Sequence, residues 1–170
     1  MVLAIDPGNI QSAYVLVETG TLRPVKFGKI KNEDLLELCY SFNCENVGHI
    51  AIEMVACYGM AVGKSVFDTC VWIGRFTEAL SSLNIPVQYI FRKDEKMNIC
   101  GTMKAKDSNI IQALIDRFAP ITPNRGKGTK KEPGFFYGFH ADIWQAYAVA
   151  VTYYDMFLSQ NSVKYHKEGD

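Results

Sequence analysis

Apolar and polar positions along this chain switch between two periods, and the switches mark its elements. Residues 2–6 (VLAID) are an apolar run closed by an acid, the pattern of a short buried strand. Residues 11–18 (QSAYVLVE) and 24–30 (PVKFGKI) read as two more strands, with Gly8-Asn9 and the segment ETGT at 18–21 as turns. Strands joined by links this short form an antiparallel meander. The period then lengthens. Glu33 to Phe42 has helical spacing at Leu35, Leu36, Leu38 and Cys39, with Asn32 placed to cap it. Residues 49–53 (HIAIE) return to strand. Gly63 to Ser82 predicts a long helix with Val66, Phe67, Cys70, Ile73, Gly74, Thr77 and Leu80 on or near one stripe. Val71, Trp72 and Phe76 are surplus to that stripe and fit either a dimer interface or a thick core around Trp72.

Residues 86–91 (PVQYIF) predict a fifth strand, and Asp107 to Phe118 an amphipathic helix capped by Asp107 or Ser108. Residues 119–139, rich in Pro, Gly and cations, read as a long loop, a feature that in a small domain is functional or mobile. The last helix begins near His140 or Ala141 and runs to about Leu158. It is apolar almost throughout, so burial is expected. The polar tail, 159–170, is expected to fray. Three antiparallel strands followed by helix, strand, helix, strand, helix predict a single α/β domain over 1–158 with a mixed sheet. The strand after the first helix lies parallel to the first strand by a right-handed crossover.

Composition changes this picture little. A chain of 170 residues, 48% hydrophobic and 21% charged, is an ordinary globular one, and its formal charge is zero. Charge distribution says more. Arg92 to Glu132 carries ten Lys/Arg against five Asp/Glu, a local excess that suits a phosphate-rich partner or a solvated face. The five cysteines form no C-x-x-C pair and sit beside apolar residues, which excludes zinc spacing and points to a reducing, cytoplasmic-type compartment. No secretory n-region opens the chain, and no apolar run is long enough for a membrane span.

The candidate chemistry lies in the acids. Leu-Ala-Ile-Asp at 3–6 and Ile-Ala-Ile-Glu at 50–53 repeat one pattern, each ending a buried strand. If the strands are parallel neighbours about 4.8 Å apart, Asp6 and Glu53 emerge together at the carboxyl edge of the sheet, where α/β folds bind ligands. Two such carboxylates do not both ionise without a cation. Asp142, in FHADIWQAYAVAV, sits in the first turn of the buried helix and is a third candidate. Three carboxylates with open positions suit Mg²⁺ or Mn²⁺. Two have a plainer reading, Asp6-Pro7-Gly8 as a turn and Asp142 as a helix cap or a charge favouring the helix dipole, while Glu53 ends an apolar strand, where a charge is rarely placed without a partner.

On these residues the chain resembles the RuvC family of Holliday junction resolvases, within the RNase H-like nuclease superfamily, in a compact form such as phages carry. The resemblance spans most of the chain through LAIDPGN and SAYVLV, IAIE and GMAVGKSVFDTCVWIGRF, KAKDSNIIQALI, and HADIWQAYAVAV. It implies an RNase H-like fold, a mixed five-stranded sheet (three antiparallel strands, then two parallel) flanked by helices. It also implies a homodimer that resolves four-way DNA junctions by paired nicking with Mg²⁺, Mn²⁺ substituting. The products would carry 5′-phosphate and 3′-hydroxyl ends. By the resemblance Asp6, Glu53 and Asp142 are metal ligands. Gln145 stands where the family carries a further acid; its amide oxygen ligates or orients water but adds no charge. His140 either positions water or phosphate or faces solvent. Lys104 and Lys106 are expected at the scissile or neighbouring phosphate. Arg92, Lys93, Arg125, Lys127, Lys130 and Lys131 are expected on flanking backbone. Tyr58 either stacks on an unpaired base or packs its loop. Two alternatives stay open: an RNase H-like nuclease on other branched, flap or hybrid substrates, and a junction-binding protein with impaired cutting.

Overall fold

Strand β1 (Val2–Asp6) lies at the centre of a five-stranded sheet of order β3-β2-β1-β4-β5. The structure, a computed structural model, describes residues 1–43, 45–57, 59 and 61–159. β2 (Gln11–Val17) and β3 (Pro24–Lys31) extend the sheet antiparallel on one side of β1. β4 (His49–Met54) and β5 (Val87–Phe91) extend it parallel on the other. The mixed five-stranded sheet is therefore the one the element order predicts.

Because side chains alternate across a strand, β1 feeds two cores. Leu3 and Ile5, with Ile50 and Ile52 of β4, face α1 (Asn32–Ser41) and α2 (Lys64–Ser81). Val2 and Ala4, with Ala13, Ala51 and Ile90, face α4 (Asp107–Phe118) and α5 (Ile143–Tyr153). α5 continues as a π turn over Tyr154–Leu158. The sheet residues Ala4, Ala13 and Ala51 and the helix residues Ala146, Ala148 and Ala150 are all small and buried together, so α5 lies close on the sheet. Among the described residues no helix is long and apolar enough to cross a membrane.

Several local expectations differ. Helix α3 (Arg92–Cys100) has no counterpart in the periodicity, because RKDEKMNIC carries no apolar stripe. Its ends are set by capping instead: Asp94 Oδ2 accepts from Phe91 N at 3.1 Å, and left-handed Gly101 closes it onto Met97 O at 3.0 Å. In α2 the buried positions are Ile73, Phe76, Ala79 and Leu80, while Phe67, Cys70 and Gly74 face outward. Two apolar stripes interleave on that helix, and only contact with Ile50, Ile52 and Leu83 selects one. Trp72 lies partly buried against Phe76, with the Arg75 guanidinium 4.1 Å above its ring. α4 is capped at Lys106, whose N–H donates to Asn109 Oδ1 at 2.9 Å, not at Asp107 or Ser108.

Asn32 does not cap α1; Lys31 holds that position. Asn32 is instead buried and latches the turn after β1. Its Nδ2 donates to Gly8 O at 2.9 Å, and its Oδ1 accepts from Ser12 Oγ at 2.6 Å. Ser12 Oγ in turn accepts from Gly8 N at 3.1 Å. A Cβ on Gly8 would stand 2.3 Å from Gln11 O, so the tight turn requires glycine. An Asn32→Ala variant strands these buried partners and is expected to lose roughly 2 kcal/mol, read from urea denaturation.

The 119–139 segment is pinned rather than loose. Gly126, at φ +79°, leaves no room for a side chain against Phe136 and Ala119. Its carbonyl accepts from Phe136 N at 3.0 Å, and Lys127 O accepts from Gly134 N at 2.8 Å. Phe136 and Phe139 are buried in an aromatic cluster with Phe118, Trp144 and Tyr147.

Candidate metal centre

The sheet register assembles the site. β1 and β4 pair Ile5 with Ile52, so the next step sets Asp6 beside Glu53. Asp6 also pairs with Ala13, Ala13 with Lys29, and Glu53 with Ile90. One row across the sheet therefore reads Lys29, Ala13, Asp6, Glu53, Ile90, on the face that α5 covers. The start of α5 stands over this row. Asp142 is its N-cap, one residue before the helix, after Ala141 at φ +42°. Asp142 thus occupies the capping position, but its side chain makes no capping hydrogen bond.

The two strand-end carboxyls share a hydrogen bond. Burial, followed by the Glu53 charge, the hydrogen bond to Glu53, and the Asp142 and Glu95 charges, pushes the Asp6 carboxyl up to about 9. Burial raises Glu53 as well, while the hydrogen bond from Asp6 and the Arg92 charge pull it back. Two carboxyls this buried and this close do not both ionise without a cation. Both line a pocket of about 230 Å³ with Pro7, Met54, Val55, Ala56 and Arg92.

Asp142 influences Asp6 electrostatically, but its Oδ2 is held by Lys29 Nζ at 2.5 Å. Among the described residues no three His, Cys, Asp or Glu side chains are gathered tightly enough to hold an ion. Gln145 lies one turn beyond Asp142, and its Oε1 is buried with no hydrogen-bond partner among the described residues. A proton-sharing carboxyl pair and an unpartnered amide oxygen, all hard oxygen donors, fit a divalent cation of the Mg²⁺ or Mn²⁺ type. Asp6 and Glu53 would form its core, and Asp142 would join on release from Lys29.

The predicted cations fall in different places. Arg92 lines the pocket and is engaged by Glu95 and Asp107. Lys104 and Lys106 are exposed on either side of buried Ala105, adjacent in sequence to Asp107. Lys93 lies over the Phe91 ring, 5.6 Å from its centre. Arg125, Lys130 and Lys131 are exposed on the pinned 119–139 segment, and Lys127 is partly buried there. His140 is exposed at the end of that segment. Tyr58 lies outside the described residues.

Sequence reasoning missed Lys29 and Glu95. Lys29 has a signal two residues earlier: Phe27 faces the α5 side, 4.7 Å from Phe139, and alternation puts Lys29 on the same face. Glu95 is fully buried in α3 beside the acids. Its signal is the Arg92-x-x-Glu95 spacing of a helical ion pair.

No protein-family model matches the chain, and no curated protein matches it. Solved structures do. The structure of Thermus thermophilus RuvC in complex with a Holliday junction substrate matches with a TM-score of 0.63 at 16% identity. It covers 92% of this chain and 95% of that one. A second Thermus thermophilus RuvC structure matches with a TM-score of 0.59 at 18% identity, over 91% and 95%. Strand order, crossovers and flanking helices together give this chain a RuvC-like, RNase H-like fold.

Proposed function

We propose that this chain is a metal-dependent endodeoxyribonuclease that resolves four-way DNA junctions by paired nicking as a homodimer. The observation that carries the reading is the Asp6–Glu53 carboxyl pair at the ends of adjacent parallel strands, lining a pocket together with Arg92. The RuvC-like fold supports the substrate class, since one of its matches is bound to a Holliday junction.

Mg²⁺, or Mn²⁺ in its place, held by Asp6 and Glu53 with Asp142 and Gln145 beside them, would supply water activation and charge neutralisation at the phosphate. The chain's own residues do the rest. Lys104 and Lys106 hold the scissile or adjacent phosphate. Lys93, Arg125, Lys127, Lys130 and Lys131 hold flanking backbone without choosing sequence. The pinned 119–139 segment presents four of these cations from a rigid base. The α1–α2 surface exposes Tyr40, Phe67 and Val71 around a groove lined by Leu36, Gly74, Arg75 and Glu78. That apolar surface seats the second copy, which paired nicking requires.

A second reading, a junction-binding protein impaired in cutting, draws on the hold of Lys29 on Asp142 and on the uncharged Gln145. One experiment separates them. A labelled four-way junction, a flap and a plain duplex are incubated with the protein in Mg²⁺ or Mn²⁺, while sedimentation equilibrium reports its oligomeric state. Symmetrical nicks confined to the junction, made by a dimer, are expected. Tight junction binding without cuts under either metal decides for the binder, and equal cutting of flap and junction decides for a broader nuclease.

A further inference from the structure

Among the described residues lining the acid pocket there is one cation, Arg92. It is not free to swing as a backbone clamp would be. Nη1 donates to Glu95 Oε2 and Nη2 to Asp107 Oδ1, and its side chain is 24% exposed. Glu95 is 0% exposed, and its second oxygen, Oε1, is buried without a partner among the described residues. A buried ion pair adds little net stability compared with packed apolar side chains, so stability does not account for this arrangement. Orientation does. A guanidinium has five N–H donors in a rigid plane, and two are taken. The remaining three belong to a group held from both sides that lines the pocket holding Asp6 and Glu53.

We propose that Arg92 contacts the phosphate being cut and that Glu95 is the positioning residue that aims it. This rests on the nuclease reading and moves Arg92 from the flanking backbone into the reaction site. A phosphodiester is repelled by the carboxyl pair it must approach. During hydrolysis the water oxygen bonds to phosphorus as the P–O3′ bond breaks, and a water proton ends on the 3′ oxygen. The five-coordinate phosphorus carries one more negative charge than the diester. Arg92 offsets both, and the same charge acts on Glu53, favouring its ionised form.

The test compares single-turnover cutting of a four-way junction at saturating protein with junction binding in EDTA. Arg92→Lys keeps the charge and loses the fork. It is expected to cut about 100-fold more slowly, with a Kd within about threefold of wild type. Glu95→Gln is expected to slow cutting about tenfold, and the double variant to be no slower than Arg92→Lys alone, because Glu95 acts through Arg92. If Glu95→Gln does not fold, Asp107→Asn at a 66% exposed side chain loosens the same guanidinium. Wild-type cutting by Arg92→Lys overturns the proposal. So does a weakened Kd with an unchanged rate, which is the signature of a backbone contact. If the wild-type protein cuts no DNA, the nuclease reading falls and a second measurement decides this one. Thymidylyl-thymidine is titrated while the Arg92 Nε–Hε resonance is followed by NMR; a saturable shift upholds the phosphate contact, and none overturns it.

Discussion

Asp6→Asn is expected to reduce DNA cutting about 10³-fold or more, to leave junction binding in EDTA within a few-fold, and to make the protein more stable. The three outcomes have one cause. Asp6 sits at the end of a fully buried strand, hydrogen-bonded to Glu53, and its carboxyl is pushed up to about 9 from an ordinary value of 3.8. An amide of the same shape keeps a hydrogen bond to Glu53 and removes the cost of holding, near neutral pH, a proton that the unfolded chain has released. It also removes the anionic ligand on which the proposed chemistry depends. The gain is roughly 2 kcal/mol, about 4–8 °C in Tm for a chain of this size.

The pH dependence has a definite sign. The unfolded chain releases the Asp6 proton near 3.8, while the folded state keeps it to about 9. Between those values the folded state binds more protons, so stability falls as pH rises. In EDTA the Tm of the wild type is expected to decline from pH 5 to pH 9, and Asp6→Asn to flatten the decline. Mn²⁺, which binds the ionised pair, is expected to raise Tm more at pH 8.5 than at pH 6. A Tm in EDTA that rises across this window, or an Asp6→Asn variant that melts earlier, would show that the carboxyl pair is not the strained site described.

The largest loss of stability is expected at Phe136→Ala, at about 3–5 kcal/mol. Phe136 is fully buried, and its ring lies 4.7 Å from that of Trp144, 5.2 Å from Phe139 and 5.3 Å from Tyr147. It also contacts the backbone fold of the basic segment, since Gly126 is shaped to receive it. Truncation empties a space bounded by α4, α5 and the segment itself, which a rigid sheet does not refill. The change is a large part of a typical 5–15 kcal/mol total. Hydrogen exchange is expected to accelerate at Lys127 and Gly134, whose backbones are paired. Ile121→Ala in the same segment, where the side chain is 96% exposed, is expected to stay within about 0.5 kcal/mol. Similar effects for the two variants would mean that the segment is not anchored through Phe136.

The sequence alone determined what depends on local period and on chain order. Alternation and helical spacing located five strands and four helices, and the lengths of the links set their directions, because a link of a few residues admits only an antiparallel neighbour while a helix allows a parallel one. The twin tetrapeptides LAID and IAIE placed Asp6 beside Glu53 once that order was known. Tertiary structure alone decided the rest. α3 has no apolar stripe, so only its caps and the contact of Glu95 with Arg92 define it. Asn32 has the chemistry of a cap and serves as a latch, because Gly8 of the turn after β1 and Ser12 of β2 arrive beside it. Lys29 meets Asp142 through a register across three strands and a helix. Those partners are distant in the chain, and a side chain's role among distant partners is set by packing, which no local pattern encodes.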